Sequence, residues 1–157
     1  MSYNITIARI SEDLTKSLPI SKEDWEGCTT LEEIEFKQKE TYPNCYLEVQ
    51  LEVSNEYIPC FWISKDFKMA TIDSKVFLIN REFEKYAIKI ANRLNAIIFG
   101  QEGELYYIPN IGKFESEKYL LDQTPITISE LKDRKIEIGN EKEVLEYLKT
   151  KQMNASS

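Results

Sequence analysis

At 157 residues with 42% hydrophobic side chains, the chain is long enough for one ordinary core and too short for two domains of typical size. Twenty basic residues against 27 carboxylates give a formal net charge of -7, which disfavours unaided binding to nucleic acid or to an anionic membrane, since both require a positive footprint. Histidine, the commonest general base and triad partner, is absent, and Cys28, Cys45 and Cys60 lack any C-x-x-C spacing and fall short of the four ligands of a structural zinc site, so no catalytic residue, cofactor or metal is expected.

The chain opens on a period-2 alternation, Tyr3, Ile5 and Ile7 against Asn4, Thr6 and Ala8, which predicts a strand. Ser21 as N-cap with Asp24 three residues on is a variant capping box. Ile20 and Trp25 have the spacing of a hydrophobic staple, so a short helix over residues 22 to 28 follows, with Trp25 as its core anchor. Residues 31 to 41 fit two readings: Thr30 and Glu33 could cap a helix, while Ile34 and Phe36 between charged neighbours read as a strand. Leu47, Val49, Leu51 and Val53 alternate with Glu48, Gln50 and Glu52, a strand with one buried face and one charged face. Residues 57 to 64 continue in β-rich composition, with Pro59 pointing to an edge or a strand entrance. Residues 67 to 72 and 75 to 80 predict two more strands of an antiparallel meander, joined at Asp73-Ser74.

Phe83, Tyr86, Ala87, Ile90, Ala91 and Leu94 then recur at helical spacing behind Asn80 as N-cap, predicting an amphipathic helix over about 81 to 95. Residues 96 to 99 and 104 to 108 form a hairpin around Gly100-Gln101-Glu102-Gly103. In Tyr106-Tyr107, alternation puts one ring near solvent or under the tail. After a weakly patterned stretch, Thr127 with Glu130, stapled by Ile126 and Leu131, starts one short helix. Asn140 with Glu143 starts a longer one docked by Val144, Leu145 and Leu148 and frayed from Met153. The fold class is thus α+β: a mainly antiparallel sheet, the 81 to 95 helix packed on it, and C-terminal helices closing an edge or the other face. Residues 1–108 form the core domain and 109–157 a helical extension of it.

The charge is lopsided. Residues 1 to 60 hold twelve carboxylates against five basic residues, which is the whole net charge, because residues 61 to 157 hold fifteen of each. Such a face either keeps the molecule solvated or meets a basic partner. Glutamates beside tyrosines suit a contact surface, the ring supplying area and the carboxylate steering. The partner-contact candidates are Glu32, Glu33, Glu35, Glu40, Tyr42, Glu48, Glu52 and Tyr57, together with Glu102 and Glu104 at the hairpin turn. A turn and strand-end role accounts for the last two more simply than catalysis does. No apolar stretch approaches the ~20 residues that span a bilayer. No basic segment leads into an apolar block at the N-terminus, so a cytoplasmic location without membrane contact is expected.

Three segments together resemble small bacterial immunity-type proteins encoded beside polymorphic, contact-delivered and type VI secretion toxins. They are Tyr3-x-Ile5-x-Ile7-x-Arg9, Ile20-Ser21-x-Glu23-Asp24-Trp25, and the run from Ala91 through Leu94, Ala96, Ile98, Gly100 and Gly103-Glu104 to Tyr106. The likeness covers about residues 1 to 108. Gln101 stands where an acidic residue is usual and Cys28 where an aliphatic one is. The resemblance implies a cognate toxin as partner, neutralised by stoichiometric binding, and transfers no catalytic residue. Two other readings stay open: a chaperone or adaptor that carries an effector without inhibiting it, and an enzyme built on paired carboxylates.

Overall fold

The computed structural model describes residues 4–28, 34–37, 45–53, 56–73, 81–109, 111–113 and 126–155. The chain is an α+β protein built on one antiparallel sheet. The elements are β1 (Asn4–Ile10), β2 (Ser17–Leu18), α1 (Lys22–Cys28), β3 (Ile34–Lys37), β4 (Cys45–Val53), β5 (Glu56–Ser64), β6 (Met69–Asp73), α2 (Arg81–Leu94), β7 (Ile97–Gly100), β8 (Leu105–Ile108), β9 (Gly112–Lys113), α3 (Ile128–Asp133) and α4 (Glu141–Ala155). The strands lie in the order β3-β4-β5-β6-β1-β7-β8-β9, with β2 paired to the end of β1. The first strand in sequence is therefore central, flanked by β6 and β7. That position suits its composition, because Ile5 and Ile7 are fully buried.

Side-chain alternation divides the sheet into two faces. On the inner face Ile5, Ile7, Ile63, Ala70, Ile72 and Ile98 pack against Ala87, Ile90, Ala91 and Leu94 of α2 and against Trp25 and Cys28 of α1. The apolar stripe read from the α2 sequence is thus the stripe that faces the sheet. At the other end of the sheet the outer face is covered instead. Ile97, Leu105 and Ile108 form a second cluster with Leu14, Ile126, Leu131 of α3 and Val144 of α4. The tail is also joined through its backbone: Leu105 N–H donates to Ile126 O at 2.9 Å, and Ile128 N–H donates to Gly103 O at 2.8 Å.

Local chemistry sets the helix ends. The Ser21 hydroxyl accepts from Asp24 N–H at 3.1 Å while the Asp24 carboxylate accepts from Ser21 N–H at 3.0 Å, a reciprocal capping box with Asp in place of Glu. Ile20 and Trp25 meet in the inner core as a staple. Thr127 Oγ1 accepts from Glu130 N–H, and Asn140 Oδ1 from Glu143 N–H, so both tail helices begin where their caps predict. α2 and α3 end in Schellman turns. Ala96 N–H donates to Ala91 O across Asn95 (φ 53°), and Ile136 N–H donates to Leu131 O across Lys135 (φ 57°). Gly103, at φ 78°, supplies the left-handed residue that closes the β7–β8 turn.

Of the two readings open for residues 31 to 41, residues 34–37 take the strand. Several expectations are corrected. β5 is interior, between β4 and β6, and not an edge. Its Pro59 is tolerated because it sits beside a bulge and outside the Phe61–Ile63 stretch that pairs with β6. Residues 65–68 form a turn, so β6 begins at Met69 rather than 67. Neither Tyr106 nor Tyr107 is near solvent, and both belong to the inner cluster. The register shift that opposes Phe99 to Leu105 makes Tyr106 an extra residue in β8, which breaks the alternation assumed for the pair. Leu145 is 42% exposed, and Val144 with the partly buried Tyr147 and Leu148 docks α4, which continues to Ala155. The expected strand over 75 to 80 and the Asn80 cap lie outside the described residues.

Candidate functional site

The register of β3, β4 and β5 decides which contact candidates share a surface. Glu35 pairs with Gln50, Lys37 with Glu48, Glu48 with Trp62, and Glu52 with Tyr57. Residues directly opposite in an antiparallel pair share a face. Glu35, Lys37, Glu48, Gln50, Glu52, Tyr57 and Trp62 therefore occupy one face of the sheet, and the register continues it through Thr71 and Thr6. It is the outer face, opposite the one that carries α1 and α2. Where side chains are described, Thr6, Trp62 and Thr71 are intermediate and Met69 is 40% exposed, while Ala8 opposite Met69 is buried.

Tyr57 and Trp62 differ in parity and would fall on opposite faces of a regular strand. They share one because β5 carries an extra residue, Cys60, between the pairs Gln50↔Pro59 and Val49↔Phe61. A bulge changes the alternation phase once. Beyond it Phe61 pairs with Ile72 and Ile63 is fully buried, so Trp62 joins the outer face. Sequence reading missed Trp62 and Lys37 as members of this surface. Alternation in β3 could have found Lys37, while nothing local to residues 57–64 marks the bulge that places Trp62.

The remaining candidates do not join this surface. Glu102 is exposed in the β7–β8 turn. Five strand spacings separate β4 from β8 in the sheet order, about 24 Å. Glu104 is only 7% exposed, bridged to Thr127 at the base of the same turn, which removes it from any solvent-facing contact. Glu32, Glu33, Glu40 and Tyr42 lie outside the described residues.

A group of interacting ionisable side chains among the described residues lies in the tail. Glu130 of α3 accepts from the Tyr147 hydroxyl at 2.8 Å and from the Lys151 ammonium at 2.5 and 2.7 Å, and the Arg134 guanidinium lies 4.6 Å from the Tyr147 ring centroid. Burial, followed by the Glu130 carboxylate, raises the Tyr147 pKa above its ordinary value. Each of these groups is committed to another, and the arrangement fastens α4 to α3. Arg9 does similar work in the core: it donates to Leu94 O, Pro19 O and the Asp24 carboxylate, tying β1 to the start of α1 and the end of α2. Among the described residues no cluster of three or more Cys, Asp or Glu side chains is arranged to hold a metal ion. No helix among them is long and apolar enough to cross a membrane.

The geometry defines an α+β protein whose register places Glu35, Glu48, Glu52, Tyr57 and Trp62 at positions of one sheet face, beside an end of the same face covered by α3 and α4. No protein-family model matches the chain, and no curated protein or solved structure matches it.

Proposed function

We propose that this chain is an immunity protein that binds and neutralises a cognate bacterial toxin, a contact-delivered or type VI secretion effector, by stoichiometric inhibition in the cytoplasm. The contact surface in this reading is the outer face of β3–β6. The observation that supports it is the register that gathers Glu35, Glu48 and Glu52 with Tyr57 and Trp62 on one face. Four strands at about 4.8 Å spacing and seven residues at about 3.3 Å rise make a patch of roughly 400–500 Å². One partner contributes roughly 500 Å² to the smallest specific interfaces, so the patch is of the right order. Aromatic rings supply buried area, and carboxylates steer a basic partner and fix its orientation.

Co-expression tests the reading. The product of the adjacent reading frame is induced in a bacterial host with and without this chain, and with the Glu48→Lys/Glu52→Lys double variant. The wild-type chain restores growth and the double variant restores it less well. A complex that co-purifies while growth stays arrested would make the chain an adaptor. Full protection by the double variant would remove the outer face as the contact.

A further inference from the structure

We propose that the chain forms a two-fold dimer by pairing the β3 strands of two copies edge to edge, centred on Phe36. This inference does not depend on the function proposed above. β3 is the outermost described strand at one end of the sheet order, and the strand at the opposite end, β9, has only two residues against the four of β3. The outward backbone groups of an end strand are a template for another strand.

Geometry restricts the pairing to few registers. A two-fold axis perpendicular to the sheet keeps each copy's inner face continuous with its partner's inner face only when the axis passes through a residue. An axis between residues would oppose an inner-face position to an outer-face one. Centring on Glu35 places Glu35 against the partner's Glu35, and centring on Lys37 places Lys37 against the partner's Lys37. Centring on Ile34 sets only Ile34 against its copy within the described strand and pairs neither charge of β3. Centring on Phe36 places Phe36 against the partner's Phe36 on the inner face. On the outer face it places Glu35 against the partner's Lys37 and Lys37 against the partner's Glu35. Only this register turns both charges of β3 into opposite-charge cross-strand pairs, two in all, which the two-fold axis makes equivalent. The inner-face residues of β3, Ile34 and Phe36, pair with Leu51 and Val49 of β4, so the apolar surface would run unbroken across the join. The two outer faces would lie side by side, doubling the acidic and aromatic surface.

Charge reversal tests the register. Glu35→Lys is the cleaner single variant, because Glu35 lies opposite the neutral Gln50 within its own sheet, whereas Lys37 lies opposite Glu48. Light scattering coupled to gel filtration measures mass for the wild type, for Glu35→Lys, for Lys37→Glu and for a one-to-one mixture of the two variants, with far-UV circular dichroism confirming that each is folded. The wild type is dimeric at roughly 0.2 mM, a concentration that reveals even weak pairing. Glu35→Lys turns two attractive pairs into two repulsive ones and weakens association by about tenfold or more. In the mixture, a β3 strand with lysine at both charged positions meets one with glutamate at both, so every cross-strand pair is again attractive and the mixture dimerises where each variant alone does not. If Lys37→Glu does not fold, the salt dependence of the wild-type dimer decides, since pairing through two charge pairs weakens as salt rises. A wild-type chain that is monomeric at that concentration, a Glu35→Lys variant that dimerises as well as wild type, or a dimer indifferent to salt would overturn the proposal.

Discussion

Trp25 joins three parts of the fold, and replacing it separates their contributions. It is 1% exposed within the inner cluster, closes the staple with Ile20, and donates its indole N–H to Phe67 O at 2.6 Å. That carbonyl belongs to a residue held at φ 64°, a backbone conformation a bulky side chain seldom adopts, in the turn between β5 and β6. Trp25→Phe keeps most of the ring but removes this donor, at a cost of about 0.5–1.5 kcal/mol for the lost hydrogen bond and about 1 kcal/mol more for the small void. Trp25→Ala removes the ring as well and costs about 3–5 kcal/mol, a large share of the ~5–15 kcal/mol that holds a domain folded. Urea unfolding should be followed by far-UV circular dichroism, because the variants remove one of the two tryptophans and with it part of the fluorescence signal. With a slope of about 2 kcal/mol/M, the Phe variant lowers the midpoint by about 1 M and the Ala variant by about 2 M. A Phe variant within about 0.2 M of wild type would refute the role given to the Phe67 hydrogen bond. Equal losses for Phe and Ala would refute the partition between ring and donor.

The tail and the charged turns give three further predictions. Val144→Ala, at a fully buried position of the second cluster, costs about 1–3 kcal/mol, while Leu145→Ala next to it costs no more than about 0.5 kcal/mol. Equal effects in thermal unfolding would show that the phase of α4 is wrong. Glu130→Gln removes the charge that holds Lys151 and Tyr147, so amide exchange should accelerate over residues 141–155 and not over β1 or α2; a uniform acceleration would contradict a local fastening role. Stability also depends on pH in a predictable direction. The hydroxyls of Ser11 and Thr15 hold Asp13 down to about 2, and Asp24 and Asp66 lie below the ordinary 3.8, chiefly through the Ser21 N–H and the Ser64 hydroxyl. These carboxylates are preferentially charged in the folded state, so their contribution is complete above pH 3.8 and is lost as pH falls toward 2, modestly because Asp13 and Asp66 are exposed and Asp24 is only half-buried. Asp24→Asn should be less stable than wild type at about pH 6 and should lose less stability between about pH 4 and 2. On the alkaline side burial raises the Cys28 pKa, so its share is present below pH 9 and lost as pH rises beyond it.

Caps and periodicity were legible in the sequence because they are local. Ser21, Thr127 and Asn140 each accept the hydrogen bond that their spacing predicts, and the α2 stripe faces the core it implies. What escaped is non-local. Extra residues at Cys60 and Tyr106 shift the alternation of β5 and β8, and each is defined by a partner strand rather than by its own neighbours. That is why Pro59 reads as an edge in a strand that is interior, and why Trp62 is not legible beside Glu48. The candidate surface was legible as composition, a run of carboxylates and tyrosines. Its geometry came from register alone, which united Glu35, Glu48, Glu52 and Tyr57 while placing Glu104 under the tail.

The central claim is that this molecule acts through a surface that a basic protein recognises. The most direct measurement is the association rate between this chain and the purified, inactivated product of the adjacent reading frame, followed by stopped-flow fluorescence from low to high salt. The account predicts a one-to-one complex whose association slows by about tenfold or more as salt rises, with the slope reduced in Glu48→Lys/Glu52→Lys. Association that is indifferent to salt and to those substitutions, or no complex at all, would contradict it.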